Sequence, residues 1–265
     1  MDHYSYTQLS TYLQCPLKYK YHYLDGWQEM EDKASLIFGR VFQSSVESQF
    51  LVPDSVQFFT QRWAGVKDMP LEYTNGDSWE KMLEQGQQLL EQFRTDQRVL
   101  IDDGCTAFQV RFRRPLPLSE KHFLAYVDAL GYVDVHDCLI EWKTTTQCYP
   151  ENLGRVLELD PQLVCYSWAA QWQQVCLVNF VRKKQPEIQY LHARIRKRQW
   201  KAFEQTLDLL ASEIEAHHFY PRSGIRYPNN QCMNCAYRGL CLRKKALVKE
   251  NLMKLEAEEL AVAHG

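Results

Sequence analysis

The chain has 265 residues, 45% hydrophobic and 24% charged, a balance that supports a full core and excludes a disordered tract, a collagen-like repeat or a mucin-like stalk. Thirty-one Lys and Arg against 33 Asp and Glu leave a net charge of -2, so any nucleic-acid contact must be a local patch rather than a property of the whole surface. No apolar run reaches the roughly 18 residues of a membrane span, and the opening Met1-Asp2-His3-Tyr4-Ser5 lacks the basic and apolar regions of a signal peptide, so a cytoplasmic protein with no membrane contact is expected.

In chain order, apolar residues at helical spacing (Leu9, Leu13, Leu17; Tyr12, Tyr19, Tyr23) predict two short helices from an N-cap at Thr7, broken at Cys15-Pro16. A second helical segment is expected over roughly residues 36–50, with Phe42, Val46 and Phe50 on one side. Pro53, Pro70 and Asn75-Gly76 punctuate a helical insertion over about 53–103, whose amphipathic helix carries Trp79, Met82, Leu83, Leu89, Leu90 and Phe93. The period then falls to two, predicting three meandering strands over 107–113, 123–130 and 138–143. A helix over 161–173, strands over 175–181 and 188–195, and a long helix over 198–218 complete an α/β pattern. A charged tail helix over about 243–263, with Leu247, Leu252, Leu255 and Leu260, reads as a docking helix or partner contact.

The predicted strands carry Asp128 and, thirteen residues later, Ile140-Glu141-Trp142-Lys143-Thr144. Positions two apart on a strand share a face, so Glu141 and Lys143 project together while Trp142 points the other way, and a neighbouring strand can bring Asp128 beside them. Hard carboxylate oxygens hold Mg or Mn, and an amine orients water or stabilises phosphorane-like charge, which together suit metal-assisted phosphodiester hydrolysis.

Ala125-Tyr126-Val127-Asp128, then Glu141-Trp142-Lys143, then Gln162-Leu163-Val164-Cys165-Tyr166, resemble in this order the Asp, Asp/Glu-x-Lys and Gln-x-x-x-Tyr motifs of the PD-(D/E)XK nuclease superfamily, in its RecB-like branch. The resemblance implies an α/β core with a central mixed sheet flanked by helices, Asp128 and Glu141 as metal ligands, Lys143 as the catalytic lysine, and Gln162 and Tyr166 beside the site. The branch's Gly-x-x-x-His-x-x-x-Glu motif corresponds to Gly39 through Glu47, with Gln43 standing where the family has a metal-binding histidine. Gln43 and Glu47 share a helix face, and an amide oxygen in place of an imidazole suggests weaker Mn binding and a site more dependent on Mg or water.

Nine cysteines in a reducing compartment are expected to be free, buried or metal-bound. Cys232-Met233-Asn234-Cys235 followed by Cys241 places three thiolates within reach of one centre, and Cys15 would complete a four-cysteine site joining the two ends of the chain. Spacing alone does not separate zinc from an iron-sulfur cluster. Here the resemblance extends to RecB-like nucleases with an iron-sulfur clasp, AddB and the CRISPR-adaptation exonucleases among them, and it implies a structural [4Fe-4S] cluster. Cys105, Cys138, Cys148, Cys165 and Cys176 are expected to be core thiols.

From Arg182 to Lys201, eight Lys or Arg face one acid, Glu187; Arg182, Lys183, Lys184, Arg194, Arg196, Lys197 and Arg198 are the candidate phosphate-backbone track. Solvated strand-edge charges give the same pattern. Arg111, Arg113 and Arg114 form a weaker group. The tyrosines of the opening segment are expected in the core or shielding the cluster, and His22 is expected to be exposed or packed rather than a ligand.

The expectation is a nuclease core over 31–220, preceded by N-terminal helices over 1–30 and followed by a cysteine cluster and tail helix over 221–265. Its activity would be Mg- or Mn-dependent hydrolysis of DNA, exonucleolytic on single-stranded ends, in repair, recombination or CRISPR adaptation. The alternatives are a non-catalytic DNA-binding or scaffold subunit of such a complex and, more weakly, an RNA nuclease.

Overall fold

Caps and breakers decide where the elements start and stop. In the computed structural model, residues 3–30, 32–74, 76–101, 106–116, 119–150, 155–222, 231–256 and 259 are described. The elements are β1 (His3–Ser5), α1 (Tyr6–Gln14), α2 (Pro16–Tyr19) running into a π-helical turn (Lys20–Leu24), β2 (Trp27–Glu29), β3 (Asp32–Lys33), α3 (Ala34–Ser48), α4 (Ser55–Ala64), β4 (Leu71–Glu72), α5 (Trp79–Asp96), β5 (Val99–Leu100), β6 (Phe108–Pro115), β7 (His122–Val133) and β8 (His136–Thr145). A 3-10 turn (Val156–Leu159), α6 (Pro161–Ala170), β9 (Gln174–Val181), β10 (Glu187–Arg194), α7 (Lys197–Glu215), α8 (Arg238–Cys241), α9 (Lys245–Asn251) and β11 (Leu252–Lys254) follow.

The first helix is capped by Ser5, not Thr7. Ser5 Oγ accepts from the Gln8 amide at 3.4 Å and Gln8 Oε1 accepts from the Ser5 amide at 3.1 Å, a reciprocal box that satisfies two donors at once. The helix stops before Cys15, which is extended, and restarts with Pro16 at the first position of α2, where a missing N–H does no harm. The tail departs from the sequence expectation: the helix ends at Asn251, whose side chain donates to Leu247 O at 2.7 Å, and the chain continues as β11. Leu252, read above as one residue of an apolar helix stripe, is buried as a strand residue paired with Glu29. Of the tail expected to be helical, residues 257, 258 and 260–263 lie outside the described residues.

The chain divides into two compact units. One comprises Asp32–Arg113 and Ala125–Phe203 and is an α/β layer structure around a mixed sheet ordered β7-β8-β9-β10, with β5 and β6 also on β7. β7 and β8 form an antiparallel hairpin (Ala129↔Ile140), β8 and β9 run parallel (Glu141↔Leu177), and β9 and β10 are antiparallel (Val181↔Glu187). The parallel pair follows from the crossover through α6, since strands joined this way need a long connection. Residues of α3, α4 and α5 form one core with the strands, where Phe38, Phe42, Phe59, Trp63, Phe93, Trp142 and Phe180 meet; α6 packs on β8 and β9. Each such aromatic, fully removed from water, contributes about 2–3 kcal/mol. The insertion holds a helix, α4, that the sequence expectation lacked; Asp54 caps it by accepting from the Gln57 amide at 2.9 Å.

The other unit comprises Met1–Glu31, Arg114–Leu124 and Glu204–Gly265. Here β1 pairs parallel with the first residues of β7 (Tyr4↔Phe123), and β11 pairs antiparallel with β2. Tyr12 OH donates to His218 O at 2.7 Å, tying α1 to the residues after α7. Of the opening tyrosines, Tyr4, Tyr12, Tyr19 and Tyr23 are core, with Tyr12 and Tyr19 edge to face at 5.5 Å, while Tyr6 and Tyr21 are half-buried. His22 is packed, its Nδ1 2.8 Å from Tyr237 OH.

Cys138, Cys165 and Cys176 are buried thiols as expected. Cys148 is not: it is exposed, with Sγ 2.6 Å from Glu187 Oε1 and 3.3 Å from Lys183 Nζ, because the chain past β8 has left the sheet. Cys105 lies outside the described residues. Among the described residues, no helix is long and apolar enough to cross a membrane.

Candidate active site

Four elements of the α/β unit converge on two carboxylates. Asp128 on β7 and Glu141 on β8 are 9% and 8% exposed and lie within hydrogen-bonding range of one another, as the antiparallel register of the hairpin requires. Asp128 Oδ2 accepts from the Trp142 amide at 2.9 Å, and Oδ1 accepts from Gln43 Nε2 of α3 at 2.7 Å. Glu141 Oε1 accepts from Gln162 Nε2 at 2.6 Å; Gln162 Nε2 also donates to Tyr166 OH at 3.0 Å, one helical turn along α6. The start of α6 is fixed by Asp160, whose carboxylate accepts from the Gln162 and Leu163 amides, so Gln162 is held at a capped helix N-terminus.

Burial pushes both carboxyl groups above their ordinary range, and for Glu141 the negative charge of Asp128 adds to it while Lys143 opposes it. Tyr166 is raised as well, by burial and then by Glu141. Lys143 projects from the same face of β8 as Glu141, and Trp142 between them packs on Phe93 at 5.8 Å on the opposite face. Glu47 completes the polar group: its carboxyl is raised by burial, and hydrogen bonds from Gln109 and Gln43 act against that rise.

Gln109 is the residue sequence reasoning did not find. It donates from Nε2 to Glu47 Oε1 at 2.7 Å and to Asp128 Oδ1 at 3.3 Å, from a backbone at φ 49 at the second residue of β6. Alternation put Gln109 on a strand, but nothing in the sequence signals a left-handed residue there.

The group fits a divalent cation by donor chemistry. Glu141 Oε2 is buried without a hydrogen-bond partner, and two buried carboxylates at close range repel until a cation or proton separates them. Among the described residues, no three His, Cys, Asp or Glu side chains are yet close enough together to hold an ion, so ligation would require Gln43 or water to complete the shell. Beyond Lys143, at the end of β8, a polar cavity of about 520 Å³ is lined by Ser35, Asp77, Thr144, Thr146, Tyr149 and Arg182.

The expected basic track is not continuous. Arg182 is 6% exposed, paired with Asp77 Oδ2 at 3.1 Å and lying over the Phe38 ring, and Lys183 pairs with Glu187 Oε2 at 2.6 Å. Lys184 is exposed in the β9–β10 turn, whereas Arg194, Arg196, Lys197 and Arg198 are exposed at the opposite end of that hairpin, where Arg194 pairs with Gln174. At about 3.3 Å per residue the two groups are roughly 23 Å apart along the strands.

In the other unit, Cys15 caps α2, Cys241 ends α8, and Cys232 and Cys235 flank the turn before it. The Cys241 thiol is raised by burial and then by Cys235, Cys15 and Cys232, with a hydrogen bond to Tyr21 acting the other way. Cys235 is raised by burial first, with Cys232 and Cys15 adding and Lys18 opposing. The neighbouring thiols thus raise the proton affinity of Cys235 and Cys241, yet among the described residues no three of the four stand close enough together to hold a metal ion.

Residues 3–242 match the sequence profile of the PD-(D/E)XK nuclease superfamily. The chain belongs to that superfamily. Comparison with curated proteins gives no match. Among solved structures, an exonuclease candidate from Eubacterium rectale superposes with a TM-score of 0.57 at 11% identity, covering 100% of this chain and 94% of that one. SSO0001 follows at TM-score 0.36 and 15% identity (90% and 95% covered), and LHK-Exo in complex with dAMP at 0.31 and 12% (68% and 92%). As a PD-(D/E)XK nuclease, the chain has its superfamily's mixed sheet flanked by helices, with the paired carboxylates on adjacent strands.

Proposed function

We propose that this PD-(D/E)XK nuclease is a Mg- or Mn-dependent deoxyribonuclease acting exonucleolytically on single-stranded ends. The observation that carries the reading is the buried Asp128–Glu141 pair, with an oxygen of Glu141 left without a partner and Lys143 on the same strand face. Asp128 and Glu141 would hold the metal, with Gln43 and Glu47 contributing directly or through water. A divalent cation bound there supplies Lewis-acid charge for the phosphoryl and leaving oxygens. Lys143 orients the attacking water and offsets charge at the phosphorus. Gln162 holds Glu141 Oε1, and Gln162 is held in turn by Tyr166, so that the other Glu141 oxygen would be left available to the metal.

Exonucleolytic action is favoured by the cavity beyond Lys143, whose volume suits one nucleotide of a strand end, and by the absence of a sequence-reading motif. Lys184 and the separate group Arg194, Arg196, Lys197 and Arg198 would guide the backbone. Arg182 and Lys183 would serve as structural ion pairs instead, Arg182 lining the cavity. Cys15, Cys232, Cys235 and Cys241 would hold a structural [4Fe-4S] cluster, with zinc the alternative occupant. Repair, recombination and CRISPR adaptation are the settings such an activity suits, with a protein partner in the same complex.

The test is cleavage of 5′- and 3′-labelled single- and double-stranded DNA and RNA by anaerobically purified protein with Mg or Mn. Lys143→Ala should reduce cleavage of single-stranded DNA by about 10²–10⁴-fold while DNA binding persists. A variant that cuts at the wild-type rate would remove Lys143 from the chemistry. A second reading, a DNA-binding scaffold, is motivated by Gln43 engaging Asp128 where a metal-binding histidine stands in the family; it predicts that wild-type protein binds DNA without turnover.

A further inference from the structure

Asp128 and Glu47 are held by the same two amides. Gln43 Nε2 donates to Asp128 Oδ1 at 2.7 Å and to Glu47 Oε1 at 3.2 Å, and Gln109 Nε2 donates to Glu47 Oε1 at 2.7 Å and to Asp128 Oδ1 at 3.3 Å. Two nitrogen donors and two oxygen acceptors thus form a closed ring, in which N–H dipoles supply the positive potential that two neighbouring carboxylates need. The lone pairs engaged this way are those a divalent cation would take, so hydrogen bonding to Gln109 and metal ligation at these oxygens compete.

The backbone is shaped for this contact. Gln109 sits at φ 49, a left-handed conformation that residues with a Cβ adopt at a cost, within an otherwise extended strand. Strain of this kind persists where surrounding structure holds it, and here what it delivers is the side-chain amide to the carboxylates. Gln109 is exposed, and its bond to Asp128 is the longest of the four, so its amide is the one that can leave without unpacking the core.

We propose that Gln109 and Gln43 form an amide clamp occupying the coordination space of a divalent cation, holding Glu47 and Asp128 together until the cation displaces Gln109. This rests on the nuclease reading above and assigns Gln109 as a positioning residue that governs how tightly the metal binds. Gln43 can stay in the shell by turning its amide oxygen inward, whereas Gln109 must withdraw.

The test needs no catalysis: Mn2+ affinity by titration with electron paramagnetic resonance of the free ion, and thermal unfolding of chelated protein, for wild type, Gln109→Ala and Gln109→Gly. Gln109→Ala should lower the Tm of chelated protein by about 2–4 °C, as expected for one lost charge-assisted hydrogen bond in a chain of this size. It should also tighten Mn2+ binding by about 3- to 10-fold, since a competitor is gone. Gln109→Gly removes the same amide while relieving the left-handed strain, so it should show the same tightening with a smaller loss of Tm. Unchanged affinity in both variants would overturn the clamp and leave the nuclease reading standing. Weakened affinity would overturn it too, by making Gln109 a ligand. Absence of Mn2+ binding in wild type and variants alike would overturn the clamp and the metal-dependent nuclease reading together.

Discussion

Two carboxylates buried side by side are a liability that only function explains. Both Asp128 and Glu141 lose hydration, and the charge of Asp128 raises Glu141 further, so the site is less stable than a neutral one of the same shape. Glu141→Gln should therefore raise the stability of chelated protein by about 1 kcal/mol while abolishing metal-dependent cleavage, since the amide keeps the shape and can donate to Asp128. Chemical denaturation alongside the cleavage assay checks both halves; a fall in stability would mean that the carboxylate of Glu141 is itself structurally needed. Most residues around this pair lie at a local period that the sequence displays, Glu141 and Lys143 two apart on a strand, Gln162 and Tyr166 four apart on a helix, Gln43 and Glu47 likewise, while Asp128 joins them through the hairpin register. Gln109 was not legible there, because its role depends on a left-handed backbone and on partners 62 and 19 residues away.

Elements meet through contacts that the hydrophobic pattern does not specify. In α5, Gly86 faces the ring of Phe59 in α4 so closely that an added Cβ would stand 2.3 Å from Phe59 Cζ. Replacing a mid-helix glycine by alanine ordinarily gains roughly 1 kcal/mol of helix propensity. Here the clash with a fully buried ring, which cannot move aside without disturbing Trp63 and Phe38, should outweigh that gain, so Gly86→Ala is expected to destabilise by about 1–3 kcal/mol net. Equilibrium unfolding of the variant checks the sign, and stabilisation would mean that α4 and α5 separate easily. The hairpin between β7 and β8 has a charge-dependent lock. Asp134, at φ 57, accepts from Arg98 Nε at 2.7 Å and lies 3.0 Å from His192 Nε2, and the Arg98 hydrogen bonds hold its carboxyl down at about 2, below the ordinary 3.8. A depressed carboxyl stabilises the fold above its ordinary value and loses that contribution as pH falls toward about 2. Asp134→Asn should thus lower Tm by about 1–2 °C near neutrality, the small size reflecting solvent screening of an exposed pair, and the difference should vanish in acid. A pH-independent difference would place the effect in packing. The same scale explains the divided basic track: a run of charges in sequence becomes two groups once β9 and β10 fold back on each other, and only strand register reveals which end each occupies.

At the scale of the chain, one unit draws its residues from three separate segments, Met1–Glu31, Arg114–Leu124 and Glu204–Gly265. Closing loops of that length opposes folding through chain entropy, and the joints within this unit are short: three paired residues between β1 and β7 and three between β11 and β2. The four cysteines are drawn from the first and third segments, so a group that binds them all cross-links residues 15 and 241. A covalent link closing a loop of more than 100 residues contributes up to about 5 kcal/mol by the chain-entropy argument, and a ligated cluster acts in the same direction. On the proposed [4Fe-4S] assignment, Cys235→Ser should eliminate iron, labile sulfide and visible absorbance, and lower the unfolding midpoint by several degrees with the first and third segments becoming the most protease-sensitive. Iron and sulfide analysis, absorbance and limited proteolysis of anaerobic wild type and variant give the comparison. Colourless wild-type protein carrying one zinc per chain would assign the site to zinc and keep the clasp. Wild type without metal at these thiols, as stable as the variant, would leave the ring contacts of Phe219 with Tyr12 and Tyr19, and of Tyr237 with Tyr21 and His22, as what holds the first and third segments together.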